Sequence, residues 1–393
     1  MVHSIRLPGL VKIGGGSIQQ LKEVIFSIGC QKPCIITDKT MFSLGLVDTI
    51  EAIMQPLPVQ IFADVMAEPD DKSLFPAIEL VKQHQCDCLI ALGGGSAIDS
   101  AKAIALLVSH GGTMTDYKVP KLVETESIPV IAIPTTAGTG SEATAVTVIT
   151  SATSGEKMLC MGSGLMPKAA IVDYQLTLSL PKRVAADTAI DALTHGIEAF
   201  VSRKANLFSD QQAIAAMKLI APNILDACVE TEHLNARNIE AKEKVMLGAT
   251  LAGIAFSNAS VALVHGMSRP LGVHFHIPHG MSNAMLLPTI TDFSLSGHPQ
   301  RYAECAVYMG LVSSTSDQKT AHKTLVAYLQ GMNSRLDVPT LKEFGVKKET
   351  YDALISTMAK QAIASGSPAN NPRLVDQQKV ESLYKKVWHA MHG

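Results

Sequence analysis

Asp191 and His195 stand four residues apart in Asp-Ala-Leu-Thr-His-Gly-Ile-Glu, with Leu193, Ile197 and Phe200 around them at helical spacing. That spacing puts carboxylate and imidazole on one helix face, where they can share a divalent cation or pair with each other at a surface. Further on come His265, His274, His276 and His279, all within the stretch 264–280. One buried histidine is usually satisfied by a hydrogen bond. Four of them downstream of an Asp-x-x-x-His pair point instead to a metal site.

A second chemistry is written in glycines. The apolar run 88–92 leads into Gly93-Gly94-Gly95-Ser96 and then a helical pattern carrying Asp99 and Lys102. Strand, glycine turn and helix N-terminus together make an anion cradle, because backbone N–H groups and the helix dipole both favour a phosphate. Ile98 sits where the last glycine of G-x-G-x-x-G would fall, so the same residues also read as a tight strand-to-helix turn. Lys102 reads as a solvated lysine, and Gly14-Gly15-Gly16-Ser17 as a turn that packs a helix. Asp38 closes the run 33–37 and can accept from an adenosine ribose while repelling a 2′-phosphate, which favours NAD over NADP. Its alternative role is a helix N-cap. The segment 134–142, Pro-Thr-Thr-Ala-Gly-Thr-Gly-Ser-Glu, gathers Thr135, Thr136 and Thr139 behind another apolar run, the place where open α/β sheets bind ligands.

These residues need a scaffold, and the chain supplies two textures. Apolar runs at 33–37, 59–62, 88–92, 130–133 and 170–172 alternate with helical patterns at 40–54, 73–83 and 96–109. Such alternation predicts a parallel sheet covered on both faces. Beyond Pro181, segments rich in Ala, Leu and Met predict helices at 189–201, 210–228, 236–256, 301–309, 320–334, 348–364 and 375–391. The expected fold is therefore an N-terminal Rossmann-like α/β domain, residues 1–181, followed by a C-terminal all-α helical-bundle domain, residues 182–393.

Composition narrows the partners. Among 393 residues, Lys+Arg 33 against Asp+Glu 35 leaves a net charge of −2 and no long run of either sign, which disfavours nucleic acid and anionic membranes. Seven scattered cysteines form no disulfide framework, and Cys86 and Cys88 read as packed thiols rather than a metal clip. The first ten residues lack the layout of a secretory leader, and the apolar stretch 249–264, broken by Ser257, Asn258 and Ser260, reads as a buried helix. The expectation is a cytoplasmic enzyme acting on small molecules.

Taken in order, Gly93–Ser96 with Asp99, PTTAGTGSE at 134–142, DALTHGIEAF at 191–200 and HGM…PHG at 265–280 resemble the iron-containing (group III) alcohol dehydrogenases. The resemblance runs from about Gly14 to Pro288. It implies a dehydroquinate-synthase-like architecture with the active site in the cleft between a dinucleotide-binding and a helical domain. It also implies Asp191, His195, His265 and His279 as metal ligands, with Fe²⁺ favoured and Zn²⁺ able to replace it. Gly94, Gly95, Ser96 and Asp99 would hold the pyrophosphate of NAD, Thr135, Thr136, Thr139 and Lys157 its ribose and nicotinamide end, and Asp38 its adenine ribose. An ion so held acts as a Lewis acid on an alcohol or carbonyl oxygen while hydride passes to or from nicotinamide C4. The implied assembly is a homodimer or larger homo-oligomer, and the segment 11–13 reads as an exposed strand edge.

Two positions depart from the family pattern. The stretch 68–71, Glu-Pro-Asp-Asp, differs from the usual Pro-Asn-Pro-like run, and Arg269 stands where the family often has a histidine. One helical turn from His265, Arg269 can bind a carboxylate, sulfonate or phosphonate on the substrate. Alternatively it ends its helix before Pro270 and pairs with a structural carboxylate. His276, and less so His274, is a candidate proton relay or a pocket wall. The competing activity is a metal- and NAD-dependent cyclisation of a sugar phosphate of the dehydroquinate synthase type. That chemistry needs more basic residues than these motifs supply.

Overall fold

The computed structural model describes residues 2–390. Met1, which opens the amino-terminal stretch, and Met391, the last residue of the final expected helix, lie outside the described residues. The chain divides into two compact units, one from Ser4 to Leu178 and the other beginning at Ser179.

The first unit holds strands β1 (Leu10–Ile13), β2 (Pro33–Ile36), β3 (Gln60–Phe62), β4 (Cys88–Gly93), β5 (Val130–Pro134), β6 (Val146–Thr150), β7 (Lys157–Met161) and β8 (Ala169–Val172). Six of them form one all-parallel sheet in the order β1-β8-β5-β4-β2-β3. β2, β4, β5 and β8 are buried at every position, as their unbroken apolar sequences require, whereas the edge strands β1 and β3 are partly exposed. The two faces alternate along the strands. Cys34, Ile36, Leu89 and Ala91 pack on helices α4 (Phe75–Gln83) and α5 (Gly95–His110). Ile35, Ile90 and Leu92 pack on α1 (Leu21–Ser27) and α3 (Leu46–Met54). From β2 the chain steps outward to β3 and then returns to the other side as β4. The topological switch therefore lies between the carboxyl ends of β2 and β4, where such sheets bind ligands.

Two local expectations fail here for backbone reasons. The pattern at 40–54 is not one helix but α2 (Lys39–Ser43) and α3, separated by Gly45 at φ 72°. The antiparallel pair β6–β7 has no counterpart in the sequence reading. Its strands alternate half-buried with buried positions, a weaker signal than the sheet's solid apolar runs.

The second unit is helical: α6 (Lys182–Val201), α7 (Leu207–Ile220), α8 (Ile224–Ala227), α9 (Ala236–Ala259), α10 (Leu263–Phe275), α11 (His279–Ser294), α12 (Pro299–Tyr308), α13 (Gln318–Arg335), α14 (Lys348–Ala364) and α15 (Gln377–Ala390). α6 begins seven residues before its expected start and is buried almost all round, as a central bundle helix must be. The helix expected over 210–228 is two, α7 and α8. The apolar stretch 249–264 is not one helix either. Ser260 takes φ 71°, and α9 meets α10 at 104°. Among the described residues, no single helix is long and apolar enough to cross a membrane.

Candidate active site

α6 carries Asp191, His195 and Glu198 at i, i+4 and i+7, on one stripe of its largely buried length. The sharp turn after α9 brings α10 back with His265 in its first turn, and the Ile277-Pro278 turn starts α11 at His279. Asp191 Oδ1 then stands 3.3 Å from His265 Nε2, 3.8 Å from His195 Nε2 and 3.9 Å from His279 Nε2. His195 stacks between Phe256 and His265, with ring centroids 4.3 and 4.4 Å away. Asp191, His195 and His265 are buried, and His279 is the half-exposed member.

Two residues that sequence reasoning did not single out complete the arrangement. The Glu198 carboxylate accepts from the backbone N–H of Ala262 (2.8 Å), Val264 (2.6 Å) and His265 (3.4 Å), and from His265 Nδ1 (2.7 Å). It satisfies the open N–H groups at the start of α10 and, by taking the Nδ1 proton, leaves Nε2 turned toward Asp191. Asn283, one turn after His279, places Nδ2 2.6 Å from Asp191 Oδ1, 3.1 Å from His265 Nε2 and 3.3 Å from His279 Nε2. Its Oδ1 is buried without a hydrogen-bond partner. Both could have been found from spacing alone, Glu198 at i+7 from Asp191 and Asn283 at i+4 from His279.

Charge follows geometry. Burial alone would push the Asp191 carboxyl up, but His195, His279 and His265 outweigh it and hold it well below the usual carboxylate range. Burial likewise pulls His265 down, and hydrogen bonds to Asp191 and Glu198 overcome this and raise it to about 9. The donor chemistry fits a divalent cation. An Asp191 carboxylate oxygen and one imidazole nitrogen each of His195 and His265 lie within 4.8 Å of one another in a buried volume, His279 Nε2 stands 3.9 Å from Asp191 Oδ1, and the Asn283 amide nitrogen faces Asp191, His265 and His279.

Arg269 corrects one alternative. α10 does not end before Pro270; it continues through it to Phe275, where Pro270 forfeits only the bond to the Gly266 carbonyl. Arg269 thus lies on the His265 face one turn on, partly buried, and makes no hydrogen bond or ion pair among the described residues. Burial draws its pKa down and nearby Glu198 opposes that. His276 is exposed at the C-cap of α10 with φ 55°, and His274 Nε2 bonds Gln361 Oε1 at 2.8 Å.

In the first unit, the glycine turn and the threonine loop come together. Thr135 N–H donates to the Gly93 carbonyl at 3.0 Å. A methyl group placed on Gly94 would meet Thr136 at 3.4 Å, and one on Gly95 would meet Thr139 at 2.8 Å. At Gly95 the added methyl would overlap the Thr139 side chain, whereas at Gly94 it would only touch Thr136. Ser96 Oγ donates to the Ala67 carbonyl at 2.5 Å. Asp38, at the end of β2, does cap α2 through Oδ1, which accepts from Thr40 and Met41 N–H, while Oδ2 faces Gly93.

Three expectations change. Asp99 is committed away from any phosphate: Oδ1 accepts from Ser141 Oγ at 2.6 Å and Oδ2 from Val148 N–H at 2.8 Å. Lys102 is not solvated but fully buried, and its ammonium donates to Ser141 O and Oγ, Thr144 O and Oγ1, and Val146 O at 2.7–3.1 Å. Burial lowers it to about 8, with Asp99 and Glu142 opposing. Together Asp99 and Lys102 pin the end of the threonine loop to α5. Lys157, on β7, is paired with Glu68 at 2.7 Å.

Comparison with known proteins bears on both units. Residues 8–174 match the family model described as iron-containing alcohol dehydrogenase, and residues 185–388 that of the C-terminal part of the Fe-containing alcohol dehydrogenase family. The chain is 34 % identical over 385 residues to an NAD-dependent methanol dehydrogenase of Bacillus methanolicus, covering 97 % of this chain and 98 % of that protein. Its fold matches a solved 1,3-propanediol oxidoreductase with TM-score 0.92 and 29 % identity, covering 98 % of this chain and 100 % of the other. It also matches a sulfoacetaldehyde reductase from Bifidobacterium kashiwanohense solved with NAD⁺, with TM-score 0.88, 26 % identity and 99 % of each chain covered.

Proposed function

The chain belongs to the iron-containing alcohol dehydrogenase family, oxidoreductases acting on alcohols, and from that premise we propose an NAD-dependent, metal-dependent enzyme for a small alcohol or aldehyde. Asp191, His195, His265 and His279 hold one divalent cation, Fe²⁺ or Zn²⁺ in its place, since a sulfur-free N₃O donor set accepts either. The observation that carries this reading is the convergence of Asp191, His265 and His279 on the Asn283 amide, with His195 Nε2 3.8 Å from Asp191 Oδ1. When bound, the ion polarises an alcohol or carbonyl oxygen and the nicotinamide takes or gives the hydride.

The rest is the work of this chain's own groups. Glu198 fixes the tautomer of His265, and Asp191 neutralises charge in the buried volume. The glycine turn at 93–95, with Ser96, cradles the pyrophosphate through backbone N–H groups at the start of α5. Thr135, Thr136 and Thr139 line the ribose side. Asp38 keeps one carboxylate oxygen toward Gly93, and its charge discriminates against a 2′-phosphate. His276 is open to solvent, as a proton relay must be.

Substrate class rests on Arg269. A partly buried guanidinium that makes no hydrogen bond among the described residues, with Glu198 nearby, gains a direct partner when an anion arrives. We assign it to a carboxylate, sulfonate or phosphonate on the substrate, a chemistry that the sulfoacetaldehyde reductase among the similar structures shares.

The test is anaerobic purification, metal analysis and a panel of neutral alcohols, diols and charged hydroxy compounds, followed by NADH formation. Metal-dependent NADH formation with one of these is expected. Release of phosphate from a sugar phosphate without net NADH would replace this reading with a cyclase. For Arg269→Met, kcat/KM should fall on the charged substrate and hold on its neutral isostere; equal losses on both would remove the anion assignment.

A further inference from the structure

A second convergence of metal-binding groups lies in the first unit. Cys30 follows the turn after α1, and Asp87 and Cys88 lead into β4. The two Sγ atoms and a carboxylate oxygen of Asp87 all lie within 4.8 Å of one another. Cys30 Sγ stands 3.6 Å from the Asp87 carbonyl.

The backbone holds these donors in place. Asp87 Oδ2 accepts from Gln31 N–H and Oδ1 from Lys32 N–H, each at 2.8 Å, and Asp87 N–H returns a bond to the Lys32 carbonyl at 3.0 Å. Each carboxylate oxygen keeps a further lone pair, since it accepts only one of these bonds. Both cysteines are buried, whereas Asp87 is only half-buried and gives a way in from solvent. The neighbouring Cys86 is not part of the cluster. It packs with Cys34 in the other hydrophobic layer, so sequence proximity to Cys88 is misleading.

We propose that Cys30, Asp87 and Cys88 form a second metal site, for a thiophilic divalent cation such as Zn²⁺ or Cd²⁺. Two sulfur donors and one carboxylate oxygen suit a tetrahedral ion whose fourth ligand is water, and they discriminate against Mg²⁺ and Ca²⁺. The balance is simple: the cation binds as two thiols become thiolates, and both protons leave to solvent. The cluster sits at the amino ends of β2 and β4, where Pro33 is in register with Cys88. Gly93, at the other end of β4, is about 16 Å away at the usual rise per strand residue. The site is therefore structural, tying the turn before β2 to the start of β4, and takes no part in hydride transfer.

The donor set around Asp191 contains no sulfur, so the two sites report separately. Titrating the metal-loaded enzyme with Cd²⁺ should raise a thiolate-to-metal charge-transfer band in the ultraviolet that saturates near about one equivalent. The same addition should raise Tm progressively with free Cd²⁺. Cys30→Ala and the milder Cys30→Ser should abolish both effects while keeping the circular dichroism spectrum and the alcohol-dependent activity. Cys34→Ala and Cys228→Ala should keep both effects. No band in the wild type, a band that survives in both Cys30 variants, or a band lost with Cys34 instead would each overturn the site.

Discussion

Glu198→Gln is the most revealing single change, because it exchanges one carboxylate oxygen for an NH₂ group at nearly constant volume. In the native chain one carboxylate serves four N–H groups at 2.6–3.4 Å, three from the start of α10 and one from the His265 ring. A carboxamide offers one acceptor oxygen and sets an NH₂ against the remaining donors. Charge-assisted hydrogen bonds contribute about 1.5–3 kcal/mol each, and loss of a partner that orients a ligating histidine typically lowers metal affinity about 10–100-fold. That range corresponds to about 1.4–2.7 kcal/mol on the metal. The assay is chelator competition for the bound ion on the wild type, Glu198→Gln and Glu198→Asp, with Tm recorded in parallel. Gln should lose metal affinity by that factor, and Asp, which keeps the charge but shortens the reach, should fall between. A folded Glu198→Gln enzyme that binds metal as tightly as the wild type would refute the claim that Glu198 fixes His265.

Further outcomes follow from the same geometry. Gly280→Ala would set a methyl 2.3 Å from the Asp187 carbonyl, so it should shift the start of α11 and deplete metal, seen by elemental analysis; Gly94→Ala, whose new methyl meets Thr136 at 3.4 Å, should leave metal content unchanged. In the metal-free protein hydrogen bonds to Asp191 and Glu198 outweigh burial and raise His265 from 6.5 to about 9, so below that pH a cation must displace its proton. Metal affinity should therefore climb up to tenfold per pH unit until about 9 and then flatten. The stability that this raised pKa lends the metal-free form is fully present below 6.5 and is lost as pH rises through about 9, the opposite trend, measurable by denaturant melts. Lys102→Met should strip the Ser141–Val146 segment of its shared donor, costing about 3–5 kcal/mol in stability and raising KM for NAD while metal content holds.

What could be read in advance depended on how locally each feature is encoded. The central strands were legible because burial on both faces demands unbroken apolar runs, and the Asp191–His195 pair because helical spacing alone puts it on one face. α10 and α11 had no clear signal, since Pro270, Pro288 and the glycines around them mimic loop composition. Only packing, such as Gly266 against Pro368, shows that the helix continues. Lys102 looked like any surface lysine because its oxygen partners lie 39–44 residues away in sequence. The Asp99 contacts were invisible for the same reason, its partners Ser141 and Val148 being equally remote. Glu198 and Asn283 were within reach of spacing arguments but carry no metal-ligand signature of their own.

The most direct measurement is anomalous diffraction at the metal edge from anaerobically prepared crystals, repeated on Asp191→Asn. One strong peak within coordinating distance of Asp191, His195, His265 and His279, and its loss in the variant, is the expected result. A fully loaded, active enzyme whose peak lies away from those four side chains would contradict it.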